Sequence, residues 1–300
     1  MRTAAHVRPW RASRTGRTRR LAGTGPPWSA IIAGAGLAGL LLAAVGAEVV
    51  RPDEHLRTDF SVVMQSPSWS HPLGTDDTGR DLLALLLRAL RTSLTVSALA
   101  AVVALVVGAA VGLVAGAVGG RVDAVAMRAI DFFASQNHLL FGILIAVLAH
   151  PVVGGAGAVT LAVGLTHWMR LARILRAEVL SLRERPFVAA AVGIGATRRQ
   201  VIARHLLPHV LPAAGVGFVL LFPHAIFHES ALSFLGVGMP SHEPSLGMLI
   251  ADGQQSLFAG AWWVVLFPGF AIVFASVAIG TVGEWWQQRQ QPRWRAELEL

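Results

Sequence analysis

The sequence predicts an all-α membrane protein with six transmembrane helices, and three observations carry that prediction. The first is composition. Of 300 residues, 54% are hydrophobic and 14% charged, whereas about a quarter of the residues in a soluble domain are charged. The second is where charge is missing. Residues 21–47, 92–120, 132–169, 205–228 and 253–283 contain no Asp, Glu, Lys or Arg, and a helix needs about 20 apolar residues to cross the hydrocarbon core. Four of these runs hold one span each. The run 132–169 holds two, folded back at His150-Pro151-Val152-Val153-Gly154-Gly155. The third is the arginine distribution. With the N-terminus inside, the inner segments carry seven arginines up to Arg20, two at Arg121 and Arg128, eight from Arg170 to Arg204 and three from Arg289 to Arg295. The outer segments carry five, all between Arg51 and Arg91. That bias predicts both termini on the cytoplasmic side of the cytoplasmic membrane.

Residue types exclude several functions. The formal net charge of +8 comes entirely from arginine, since the chain has no lysine. A phosphate-binding P-loop requires lysine, so any ATP chemistry belongs to another subunit. There is no cysteine, and so no disulfide, thiolate metal site or cysteine nucleophile. The basic bias is a topology signal, and no nucleic-acid partner is expected.

Taken in order, residues 1–27 hold seven arginines and Pro26-Pro27 and read as a disordered cytoplasmic tail. A signal peptide is the competing reading, but the apolar run that follows is longer than the usual stretch of about 7–15 residues. The membrane-spanning body covers 28–286. Its outer loop, 50–91, contains HPLGTDDTGRDLLALLLRAL. Gly74 and Gly79 suggest a turn, and the leucines from Leu82 to Leu90 suggest an interfacial helix lying on the membrane surface. Span two covers about 94–117, with Gly108, Gly112 and Gly116 at the four-residue spacing that permits close helix approach. Arg121, Asp123, Arg128 and Asp131 read as a short inner loop. Spans three and four follow, to about Leu148 and Leu171.

The long inner loop, 173–205, carries seven of its arginines between Arg173 and Arg204 but only Glu178 and Glu184 as acids. Pro186 suits the first position of a helix and Gly195 suits its left-handed end. The enclosed stretch 187–194 is small and apolar and has no obvious partner within its own loop. It reads as a knob that docks into another protein. Span five starts near Leu206 and runs through Pro208, Pro212 and Pro223. Residues 230–255 are apolar but broken by Gly236, Gly238, Pro240, Pro244 and Gly247, which suggests a re-entrant or surface segment over the outer mouth. Span six covers about 261–282, flanked by Trp262-Trp263 and Trp285-Trp286 as interfacial anchors. Residues 287–300 form a second cytoplasmic tail.

Four blocks in order resemble the inner-membrane permease subunit of ABC importers in the dipeptide, oligopeptide and nickel family, of the second-permease type. They are HPLGTDDTGRDLL (71–83), MRAID (127–131), RAEVLSLRER…GA…RHLLPHVLP (176–212) and ESALSFLGVGMP (229–240) with the following PSLGMLIADG. The resemblance covers about residues 29–290. It implies a type I ABC importer transmembrane fold in a bacterial inner membrane and no catalytic residue or cofactor in this chain, with ATP bound by partner subunits. It also implies the partners: a second homologous permease, two ATP-binding cassette subunits, an extracytoplasmic substrate-binding protein and membrane lipid. The cargo would be a peptide, nickel or a metal chelate.

The family's ATPase-contacting loop has the form EAA, three residues, Gly, nine residues, then I-x-LP. Set on Gly195, it places Ala189 at the glutamate position, then Ala190 and Ala191, and reaches His205, Leu207 and Pro208. The alanines, glycine and LP are kept; the glutamate is not. The resemblance therefore assigns coupling to Glu184, Phe187, Val188, Ala189, Ala190, Ala191, Gly195, Leu207 and Pro208, with Glu184 or the arginines standing in for the absent carboxylate.

Two further departures concern histidine. His224 and His228 stand one turn apart before Glu229, where the family usually has small residues. Asn137-His138 replaces a common Pro-Ser pair. Ionisable groups within spans are costly and usually face a bundle interior or a watery path. His138, His224, His228 and Glu229 are thus the translocation-path candidates, tilting the cargo toward metal chelates. The plainer reading is hydrogen bonding across helices, and no metal site is firm. A proton-coupled secondary transporter is the rival, but the inverted repeat it needs is not visible. An intramembrane metalloprotease is disfavoured because HAIFHE lacks the order HExxH.

Overall fold

A computed structural model describes residues 28–237 and 244–296, with the side chains of Glu48, Asp53 and 290–296 excepted. The tail 1–27, the residues 238–243 that include Gly238, Pro240 and His242, and the last four residues lie outside the described part. The described chain is helical: α1 (Trp28–Val45), α2 (Ala47–Val50), α3 (Leu82–Val118), α4 (Gly120–Ala134), α5 (His138–Arg183), α6 (Pro186–Gly193), α7 (Arg198–Val201), α8 (Leu207–Phe234), α9 (Leu246–Asp252), α10 (Gln254–Phe258) and α11 (Trp263–Ala296). Two 3₁₀ turns, Asp53–Leu56 and Phe60–Val62, lie in the loop before α3.

Five helical segments are long and apolar enough to cross a membrane. One of them, α5, is two helices. Its backbone breaks at Gly154 (φ 72, ψ 179), a conformation that only glycine adopts readily. The halves then fold together. A Cβ on Gly142 would lie 3.9 Å from Thr166, and the rings of His138 and His167 are 6.2 Å apart. In a straight helix, residues 24 positions apart would be separated by about 36 Å. The reversal falls inside the stretch 150–155 where the sequence places it, and the fold is compatible with six crossings.

Helices α3 and α5 make the most extensive contact in the bundle, and glycine spacing is the reason. A Cβ at Gly108, Gly112 or Gly116 would stand 2.6–2.8 Å from Leu171 and the Trp168 carbonyl, the Ala172 carbonyl or Val179, respectively. Only glycine lets the two backbones close to this distance. At the α6 end, a buried cluster joins Leu175, Val179, Leu182, Val188, Val201 and Leu206.

Two expectations are corrected. Leu82, Leu85, Leu87 and Leu90 do not form a separate surface helix. They are the outer turns of the 37-residue α3 and are buried, because α9 and α11 cover the leucine side that would otherwise seek lipid. Residues 121–131 are not a loop but lie on α4, which starts at Gly120 after the N-cap Gly119, both at positive φ. Its apolar positions Val122, Val125, Ala126, Ala129 and Ile130 recur at helical spacing. Ion pairs fasten the polar side to α5: Arg173 to Asp131 at 2.6 Å and Arg176 to both oxygens of Asp123. The hydrogen bonds from Arg176 hold the Asp123 carboxyl below the usual carboxylate range.

Three prolines shape the fifth span. The helical path from Arg198 to Phe234 is continuous, but its turn over Ile202–Leu206 is a π turn. Pro208 lacks an N–H and its ring crowds the carbonyl of Arg204, so the wider turn relieves that clash. At the opposite end the outer loop is pinned to the bundle. Asp81 accepts from the Ala84 N–H at the start of α3 and pairs with His71 Nδ1 at 3.0 Å, while the Trp263 indole N–H donates to the Thr75 carbonyl. The residues 244–258 form α9 and α10 instead of a straight span, and α9 is seated between α8 and α11.

Candidate functional site

The inner loop folds as its punctuation suggests. Pro186 occupies the start of α6, and Gly195, at φ 89, lies just beyond its end. Val188 and Ala191 are buried against the core. The remaining side is not covered: Phe187, Ala189, Ala190, Val192 and Ile194 are exposed, Ile194 at 88%. Phe187 stacks on His209 at 5.2 Å and approaches His205 at 6.3 Å, so the knob leans on the first turns of the fifth span. Leu207 and Pro208 are exposed in those same turns, and Glu184 is exposed at the end of α5. A cleft of about 510 Å³ lies between α6 and the α7–α8 junction, lined in part by Val188, Ala189, Val192 and Ile202.

Two arginines that the sequence did not single out individually fix this loop. Arg183 donates to the Gly116 carbonyl at 2.8 Å, and Arg198 donates to those of Ala117 and Val118 at 3.0 and 2.5 Å. The last carbonyls of a helix lack intrahelical donors and carry partial negative charge. Guanidinium groups from both sides of α6 thus cap the end of α3. The signal was present in the excess of arginine over acid, but which carbonyls it serves depends on three-dimensional proximity.

The second grouping is of histidines. His138, at the start of α5, has its ring 4.7 Å from that of His228 on α8, and His167 from the second half of α5 stands 4.6 Å from His228. His167 was missed in the sequence, although the rule that selected the other histidines, an imidazole within an uncharged run, applies to it equally. His138 and His224 are exposed, and His167 and His228 are half-buried. His167 Nδ1 donates to the Val163 carbonyl at 2.9 Å. Among the described residues, no three His, Asp or Glu side chains stand where they would together hold a metal ion.

Glu229 lies apart from this exposed face. It is completely buried and accepts hydrogen bonds from Ser233 at 2.9 Å and Ser230 at 3.2 Å, with Ser93 of α3 as a third hydroxyl partner. Ser93 in turn accepts from the Leu246 N–H at 3.0 Å. The carboxyl therefore ties α8 to α3 and, through Ser93, to α9.

Residues 108–296 match the family described as binding-protein-dependent transport system inner membrane component. The chain belongs to this family. As a member it is a transporter permease subunit and not an enzyme. It is 35% identical over 256 residues to the dipeptide transport system permease protein DppC of Bacillus subtilis, a match covering 85% of this chain and 79% of that one. A putative peptide transport system permease protein of Brucella suis is 34% identical over 258 residues, or 86% of each chain. A second Brucella suis protein, a putative peptide permease, is 34% identical over 241 residues, covering 80% of this chain and 78% of its own.

Proposed function

We propose that this permease is one half of the translocation pathway of an ABC importer for peptides in the bacterial cytoplasmic membrane. A second homologous permease completes the pathway, an extracytoplasmic binding protein delivers the cargo, and two ATP-binding cassette subunits supply the work. Both termini and α6 lie on the cytoplasmic side in this reading. The single observation that carries it is α6, a short helix whose apolar side is left exposed by the described residues. The peptide cargo is supported by the names of the relatives. ATP closes the partner dimer, the motion pushes α6, and α5 and α8 move with it because Val188 and Ala191 are packed into their core.

Coupling falls to Glu184, Phe187, Val188, Ala189, Ala190, Ala191, Gly195, Leu207 and Pro208. With alanine at position 189, docking rests on apolar contact through Phe187, Val192 and Ile194, with the surrounding arginines steering acidic groups of the partner. The histidine face of α5 and α8 lines the path, and Glu229 anchors it from behind. Nickel or a metal chelate is a second cargo reading, favoured by the histidines. Peptide is preferred, because metal coordination needs ligand atoms converging at about 2.0–2.1 Å from one point. A proton-coupled carrier would leave α6 without a role.

The chain has no cysteine, so single cysteines give a clean test. Phe187→Cys and Val192→Cys, cross-linked in intact membranes, should capture an ATPase subunit. Failure of both to capture one, or labelling of both from outside the cell, would overturn the proposal.

A further inference from the structure

Three imidazoles from three separate helical segments meet on a side of the bundle that the described residues leave open. His138 begins the first half of α5, His167 lies on the second half, and His228 lies on α8. Their ring separations are 4.7, 4.6 and 6.2 Å. A polar cluster on an open face within membrane-crossing helices is costly against hydrocarbon, so it belongs against water or a partner chain. His224, one turn before His228 and exposed, extends the same face.

The hydrogen-bond pattern fixes what this cluster offers. A carbonyl oxygen only accepts, so the tautomer of His167 that satisfies the Val163 carbonyl at 2.9 Å carries its proton on Nδ1, with the Thr166 hydroxyl oxygen equally close to the same nitrogen. In the neutral ring Nε2 is then a lone pair. Neutral His138 and His228 each keep one lone pair as well. In its neutral form the cluster presents one acceptor nitrogen per ring. It therefore accepts hydrogen bonds, and the ligand it suits is a cation with several N–H donors.

We infer that His138, His167 and His228 form a transient subsite for the primary ammonium of a peptide N-terminus as the cargo crosses. An ammonium group has three N–H donors, matching three lone pairs. It accepts donor–acceptor distances of about 2.7–3.2 Å and loose angles, whereas a metal needs the tighter convergence that no three such side chains among the described residues provide. A site made of neutral acceptors holds its ligand weakly enough to release it, as a pathway requires. The inference rests on the peptide-import reading.

The test is ¹⁵N NMR of histidine-labelled permease in its assembled importer complex, titrated with Ala-Ala, N-acetyl-Ala-Ala or nickel chloride. Ala-Ala should move the Nε2 resonance of His167, N-acetyl-Ala-Ala should not, and His138→Ala with His228→Ala should weaken the affinity read from that response on the order of a hundredfold, the loss of two charged hydrogen bonds. Equal shifts with both peptides, no shift with either, or a response to nickel alone would overturn the subsite. If cross-links at Phe187 capture the ATPase while Ala-Ala gives no shift, the subsite alone has failed. If the shift appears and no ATPase is captured, the import reading has failed and the ammonium site stands.

Discussion

The Arg198 guanidinium donates to the carbonyls of Ala117 and Val118, binding the chain just after α6 to the last turn of α3 across 80 residues of sequence. Arg183 does the same from the other side through Gly116. The knob is therefore held at both ends to a helix that runs the full depth of the bundle. A push on α6 reaches α3 directly, and not only α5 and α8.

Removing that tie should loosen the loop without unfolding the bundle. Arg198→Ala is expected to cost about 1 kcal/mol, since its two bonds are only partly shielded from water. Lysine restores charge but not the two-pronged geometry, so Arg198→Lys should recover part of the loss. Apparent Tm in detergent and hydrogen exchange at α6 measure both. A wild-type exchange rate at α6 in Arg198→Ala would show that the contact does not hold the loop.

A charge on the open side of α6 should break coupling while sparing assembly. Ala190 is exposed, between the buried Val188 and Ala191, so Ala190→Asp leaves the core intact but places an unpaired carboxylate in the apolar contact. Membrane insertion should be normal, with ATP hydrolysis no longer stimulated by loaded binding protein. Unchanged stimulation and uptake in reconstituted vesicles would remove α6 from the coupling path.

The seat of α9 is set by one glycine. A Cβ at Gly247 would lie 2.1 Å from the Ser230 carbonyl oxygen, and the obstacle is backbone, which cannot rotate aside. Gly247→Ala should lower stability by about 1–3 kcal/mol, as overpacking does. It should also expose α9 to labelling at an introduced Met248→Cys. No change in apparent Tm or labelling would contradict the close approach.

Asp252 should make this outer segment sensitive to pH. Burial, followed by the nearby Asp77, raises its carboxyl above the usual value, partly offset by Arg80. A carboxyl raised in the folded state favours folding most when protonated. Its contribution is full below the unfolded pKa of about 4 and is lost as pH rises through the folded value. Asp252→Asn should therefore raise apparent Tm at neutral pH, more than at pH 4, and flatten its dependence between them. An equal gain at both pH values would show that ionisation of Asp252 is not the cause.

Much of the fold was legible because water and hydrocarbon impose one-dimensional rules. Uncharged runs locate the crossings, Gly154 in a run too long for one span marks the reversal, and Pro186 with Gly195 brackets α6. The same rules failed at Leu82 and at Asp123. A leucine-rich helix looks alike whether lipid or another helix covers it, and an amphipathic helix of modest charge looks like a loop when judged by charge alone.

The sequence by itself determined the class of molecule, the apolar segments and the existence of a short apolar helix in an arginine-rich loop, because each follows from local composition and backbone preference. Only the tertiary structure decided that His167 joins His138 and His228, that Glu229 faces Ser93 in the core and not the histidine face, and that Arg183 and Arg198 cap α3. Those relationships join residues dozens of positions apart. Their energies depend on which helix faces meet, and that is settled by the close backbone approach at Gly108, Gly112 and Gly116 and by the turn at Gly154.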